Sequence, residues 1–177
     1  MQNPAAWVEA LRARAAILAA RIGVAPRVLL FSAIPAGLAA LPAIATGRTG
    51  PGAVFIAVSR LFVFAGSAGT GGRDIARAAS LDLFALASIP FAFALYDPGS
   101  GVAAALLLFA MIAAASASLF ADPARGIAER DRLICAAAFV LACIRREWFA
   151  LLAYLLALLC FAGAGSRLAA ALLRGGR

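Results

Sequence analysis

From Val28 to Gly47 the chain runs for twenty residues without a charge. A helix of that length rises about 30 Å, the hydrocarbon thickness of a bilayer. The same pattern repeats along the chain: long apolar stretches alternate with short segments that carry arginine. With 65% apolar and 14% charged residues and a mean hydropathy of +0.99, the composition lies well outside the soluble range of roughly 45–50% apolar and about 25% charged. A single soluble domain is therefore excluded as a reading.

The stretches read as six spans, at about 28–47, 53–69, 78–96, 101–121, 130–146 and 148–166. Pro35 and Pro42 should kink the first, which membrane helices tolerate when neighbours satisfy the freed carbonyls. Arg60 alone interrupts the second and Asp82 alone the third. Tyr96-Asp97-Pro98-Gly99 reads as a tight turn with an interfacial aromatic. Ser116 and Ser118 suit close helix packing in the fourth. The fifth is short, because only Leu133 to Ile144 is uncharged. Twelve residues reach about 18 Å, so this span has to borrow from the charged segment before it.

Residues 4–21 place Trp7, Val8, Leu11, Ala15 and Leu18 on one helical face, with Arg12, Arg14 and Arg21 elsewhere. Asn3 stands at the N-cap position and Pro4 at the first helical position. An amphipathic, arginine-bearing helix before a span is expected to lie in the membrane interface. No short apolar run with a cleavage site precedes these arginines, so a secretory signal peptide is not expected. The expected fold is all-α: an integral membrane bundle of six transmembrane helices (28–177) behind an N-terminal amphipathic interfacial segment (1–27).

Arginine placement supports six spans. All sixteen basic residues are arginine. With six spans, twelve of them fall on the side of the two termini, Arg48, Arg145 and Arg146 fall opposite, and Arg60 lies within a span. That bias marks the cytoplasmic face, which implies a multi-pass protein of the inner (plasma) membrane with both termini cytoplasmic. The net charge of +8 is then an anchor to anionic headgroups, and no nucleic-acid partner is implied. Membrane lipids are.

Little is left for chemistry. Histidine is absent, which removes the commonest general base and metal ligand. Cys135, Cys143 and Cys160 lie in apolar stretches without metal-ligand spacing and read as small buried residues. Charged groups inside spans cost roughly 2.5–3.5 kcal/mol each on insertion scales, which singles out Arg60 and Asp82. On adjacent antiparallel helices, with arginine able to snorkel, they either pair with each other or line a polar cavity. Between them, the glycine-rich segment from Gly66 to Arg77 carries Arg73, Asp74 and Arg77. It reads as an inter-span turn, or as an anion cradle without Walker spacing.

The order of features resembles the CDP-alcohol phosphatidyltransferase family, membrane enzymes of phospholipid synthesis with six spans and an amphipathic N-terminal helix. Gly23-Val24-Ala25-Pro26-Arg27-Val28 resembles the family's entry to its first span, and Ser59-Arg60-Leu61 its Asn-Arg-Leu. Leu81-Asp82 through Ile89-Pro90-Phe91 to Leu95 is similar to the third span of a bacterial subgroup. The segment from Gly126 to Glu129, with Trp148-Phe149 and Leu156 to Cys160, resembles that subgroup's C-terminal third.

The resemblance implies an aspartate signature, Asp-Gly-x2-Ala-Arg-x8-Gly-x3-Asp-x3-Asp, that holds Mg²⁺ or Mn²⁺ and supplies a base. Aligned on Ile89-Pro90, Asp82 takes the place of the last aspartate, the presumed catalytic base. Ala78 then stands at the one before it, and the first pair falls where no acid stands. Aligned on Ala76-Arg77, Gly72 and Arg73 replace Asp-Gly, and Pro90 and Ala94 replace the later aspartates. The resemblance therefore implies catalytic Asp82 and substrate-binding Arg60, Arg73, Asp74, Arg77 and Glu129, with no metal ligands. Mg²⁺ or Mn²⁺ would be a cofactor only where activity is retained.

The expectation is a family member with impaired or lost phosphotransfer, in which Arg60 pairs with Asp82 in the space of the ancestral metal. It would bind a CDP-linked lipid, as a homodimer or as a heterodimer with an active paralogue. An unrelated six-helix scaffold or small transporter is the alternative.

Overall fold

The computed structural model describes residues 13, 14, 17, 21, 23–67, 72–121 and 129–175; within these, the side chains of 72–78, 80, 119–121, 129, 130, 174 and 175 are not described. Among the described residues the chain is helical, with no strand. Six helices carry the bundle: α1 (Pro26–Ala45), α2 (Thr49–Ser67), α3 (Gly72–Tyr96), α4 (Gly101–Ala121), α5 (Glu129–Ile144) and α6 (Phe149–Gly175). Short 3₁₀ turns at Pro98–Ser100 and Arg146–Trp148 join α3 to α4 and α5 to α6.

Four segments are long and apolar enough to cross a membrane: Pro26–Ala45, Thr49–Ser67, Pro98–Ser118 and Arg146–Leu173. The chain is on this ground a membrane protein. The other two helices fall short for identifiable reasons. The apolar part of α3 is confined to Leu81–Tyr96, because its first two turns carry Arg73, Asp74 and Arg77. α5 has 16 residues, about 24 Å, and opens on Glu129-Arg130-Asp131-Arg132.

Helix limits differ from the sequence reading by one or two residues at several ends and by more in three places. α2 starts at Thr49, not 53, since Pro51 sits inside a first turn, where its missing N–H costs nothing. α3 starts at Gly72, not 78. The run Arg73 to Ala79 consists largely of good helix formers, and Asp74 in the first turn suits the N-terminal end of the helix dipole. α6 runs on to Gly175, so Arg167 is a helical residue, not one beyond a span. The interfacial helix expected over 4–21 falls mostly outside the described residues; residues 13, 14, 17 and 21 are helical and exposed.

Small residues set the packing. A Cβ at Gly66 would stand 2.6 Å from Leu30 N and 2.7 Å from Pro26 O, and one at Gly52 would stand 2.6 Å from Ile44 Cγ1. α1 and α2 thus approach backbone to backbone at Gly66 and backbone to side chain at Gly52, as membrane helices do when small residues line their interface. α1 also packs on α3, where a Cβ at Gly37 would lie 3.3 Å from Ala85 Cβ. α3 leads on to α4, α4 packs extensively on α6, and α5 packs on α2. One core joins them, with Ile44, Ile56, Leu86, Ile89, Leu107 and Phe139 fully enclosed. Phe93 stacks on Phe149, ring centroids 4.2 Å apart. Large residues such as Phe84, Phe91, Phe109, Leu158 and Leu172 face outward, the pattern expected where the surroundings are lipid.

Side-chain contacts define the two ends of the bundle. At one end Arg146 of the α5–α6 turn donates to Tyr96 Oη and, at 3.1 Å, to Gly47 O. Its guanidinium also lies 5.1 Å from the Tyr96 ring centroid. This binds the α5–α6 turn to the α1–α2 turn and the end of α3. Gly47 has φ +78°, the left-handed conformation that favours glycine at a helix C-terminus. Toward the other end lie Arg60, Asp82 and Arg132 in one group and Ser118, Asp131 and Arg167 in a second.

Candidate functional site

Asp82 lies eleven residues into α3, on the face that carries Ala85, Leu86 and Ile89 into the core. Its side chain is only 3% exposed. A buried carboxylate needs a cation and hydrogen-bond donors, and α2 supplies both. Arg60 Nη1 donates to Asp82 Oδ2 at 2.7 Å and Nη2 donates to Oδ1, a two-pronged pair. Nη2 also donates to Ser59 Oγ at 3.1 Å, which holds the guanidinium plane against its own helix. Because the terminal nitrogens face the carboxylate, Arg60 Nε is buried without a hydrogen-bond partner among the described residues.

A second cation comes from α5. Arg132 Nη1 lies 3.5 Å from Asp82 Oδ2, with its side chain 12% exposed. Asp82 therefore joins three helices, and both of its oxygens face guanidinium nitrogens. The pairing of Arg60 with Asp82 matches the sequence expectation; the contribution of Arg132 does not appear in it, since Arg132 reads as a loop anchor.

Beside this triad lies a second group. Arg167 of α6 donates to Ser118 Oγ of α4 at 2.7 Å and to Asp131 Oδ2 of α5. Ser118 in turn donates to Ala114 O at 2.8 Å. Asp131 and Arg132 are consecutive, so α5 turns one charge toward α6 and the other toward Asp82. None of Arg167, Asp131 or Ser118 stands out as a site residue in the sequence. The available signal was the length of the apolar run after Trp148, which carries the helix past Arg167.

Between the two groups and the middle of the bundle is a cavity of about 300 Å³. Arg132, Arg167 and Asp131 stand at one part of its wall, and Leu86, Met111, Leu156 and Leu159 form much of the rest. Cys135 and Cys160 also line it. All three cysteines are free thiols; Cys143 is buried elsewhere.

The remaining expected site residues are not brought to this group by any described contact. Arg73, Asp74 and Arg77 lie on the first two turns of α3, and Glu129 opens α5; their side chains fall outside the description. The glycine-rich segment is thus partly helix, and its residues 68–71 lie outside the described residues.

The donor set at Asp82 does not fit a divalent cation. Mg²⁺ asks for near-octahedral oxygen ligation, usually with one or two carboxylates that have lone pairs to give. Here one carboxylate has both oxygens turned to guanidiniums. Among the described residues no three of His, Cys, Asp and Glu come together. Arginine, not a metal ion, supplies the positive charge beside Asp82. No protein-family model, curated protein or solved structure matches the chain.

Proposed function

We propose that the chain is a six-span protein of the inner (plasma) membrane, with both termini cytoplasmic, that descends from the CDP-alcohol phosphatidyltransferase family and has lost metal-dependent phosphotransfer. It acts in phospholipid metabolism as a non-catalytic partner, binding a CDP-linked lipid or associating with an active paralogue.

The observation that carries this reading is the engagement of Asp82 by Arg60 and Arg132. By resemblance Asp82 stands at the position of the family's base. A base must be free to accept a proton from the acceptor hydroxyl, and a carboxylate with both oxygens engaged by guanidinium N–H groups is sterically occupied. The six-span count draws support from the arginine asymmetry and from the way α3 and α5, although short of apolar length, bury one face each within the bundle.

The experiment is direct. Purified protein receives CDP-diacylglycerol, Mg²⁺ or Mn²⁺ and a panel of small acceptor alcohols, and CMP release is followed. No release above a protein-free control is expected, together with saturable binding of the CDP-lipid or co-purification of an intact transferase. Metal-dependent turnover abolished by Asp82→Asn would overturn the reading.

A further inference from the structure

α5 and α6 are consecutive and joined by one 3₁₀ turn, yet they pack together far less than α6 packs on α4 or α5 on α2. The cavity fills the seam left between them. Ile134 and Leu159, on its wall, are 40% and 60% exposed, so it opens sideways, through the apolar flank of the bundle. A water-soluble substrate would have to enter through the bilayer to use such an opening. A lipid is already there.

The wall is divided by chemistry. Arg132, Arg167 and Asp131 lie toward the same end of their helices, where α5 begins. From Arg167 back to Leu156 along α6 the cavity wall extends about 16 Å, with Leu159, Cys160 and Gly163 between them and Met111 of α4 opposite. Two of the three ionised groups on the wall are guanidiniums. Each carries five N–H donors, of which the contacts of Arg167 to Ser118 and Asp131 use two. At about 300 Å³ the space lies at the lower end of the range for small-ligand sites. It suits one head group with part of one chain, not two chains enclosed together.

We propose that this cleft is a binding site for an anionic amphiphile, its oxyanion head against Arg167 and Arg132 and one apolar chain along Leu156, Leu159 and Met111. Phosphate and carboxylate heads share the needed chemistry, one from membrane phospholipid and the other from free fatty acid. The proposal does not depend on descent from a transferase, because Arg60 and Asp82 do not line the cleft.

The thiols provide the readout. Protein in an uncharged maltoside micelle is treated with N-ethylmaleimide, and modification of each cysteine is followed by mass spectrometry. Cys135 and Cys160 line the cleft; Cys143 does not, and reports on the fold. Three probes of equal chain length are added: a 1-acylglycerol phosphate, a fatty acid and a monoacylglycerol.

At about ten times its dissociation constant, a bound probe should slow Cys135 and Cys160 by about tenfold and leave Cys143 unchanged. The two anions should protect and the uncharged monoacylglycerol should not; the stronger anion identifies the source. Equal protection by all three, or protection by none, would overturn the proposal.

Arg167→Gln should remove the preference for anions. Should that variant speed Cys143 and so report a disturbed fold, Gly163→Leu decides. Gly163 lines the cleft and a Cβ there meets no atom within 4 Å, so a leucine side chain at this position starts into open space and takes up room the chain would need. Protection that persists in Gly163→Leu also overturns the proposal.

Discussion

Arg60 and Asp82 are 22 residues apart in sequence and meet through two parallel hydrogen bonds at an interior position where neither charge could remain alone. Breaking such a pair from one side should cost about 3–5 kcal/mol, since the other charge stays buried and unmatched. Removing both charges should cost much less. We expect Arg60→Met and Asp82→Leu each to lower the unfolding midpoint in detergent sharply, and the double variant to recover most of the loss. Additive effects in this double-mutant cycle would show that the pair is not coupled.

Arg132 lies at longer range from Asp82, 3.5 Å against 2.7 Å for Arg60 Nη1. Arg132→Gln should therefore destabilise less than Arg60→Gln when both are melted under the same conditions. The reverse order would make α5, not α2, the main support of the carboxylate.

Gly66 and Gly163 give opposite expectations for the same substitution. At Gly66 an added Cβ meets Leu30 N and Pro26 O at under 3 Å, backbone atoms that cannot turn aside. Gly66→Ala should destabilise by about 1–3 kcal/mol through overpacking. At Gly163 there is open space, and Ala should be neutral or stabilising by up to about 1 kcal/mol through helix propensity. Chemical denaturation of the two variants in mixed micelles separates these outcomes.

Ser118 serves Arg167 as an acceptor while donating to Ala114 O. Ser118→Ala should cost about 1–3 kcal/mol, because it leaves a partly buried guanidinium N–H without its acceptor. Ser116, the other serine on α4, should tolerate alanine far better. Comparable losses at both would mean that close helix packing, not the link to Arg167, is what Ser118 provides.

The pairing of Arg60 with Asp82 was legible in the sequence because each was a lone charge in an apolar run, and an isolated charge in such surroundings has few ways to be accommodated. The turn at Tyr96–Gly99 was legible for a similar reason: aspartate, proline and glycine in succession leave the backbone little choice. Arg132, Asp131 and Arg167 were not legible, because an arginine near a span end reads as a headgroup anchor whether it points outward or inward. Only the actual limits of α5 and α6 decide that direction. The start of α3 was missed because six residues from Arg73 to Ala78 look like a charged loop by hydropathy and like a helix by propensity, and propensity won. The cleft could not be foreseen, since it depends on α5 and α6 choosing different neighbours.

A ribosome makes the chain from its N-terminus, so Arg60 emerges before Asp82 exists. Throughout that interval α2 has to be sheltered with an unmatched guanidinium, at a cost of roughly 2.5–3.5 kcal/mol if it enters lipid alone. The tight glycine-mediated contact with α1 gives it a companion but no counter-charge. Delivery of α3 is thus the step that completes α2, and assembly of this half of the bundle is tied to the order of synthesis.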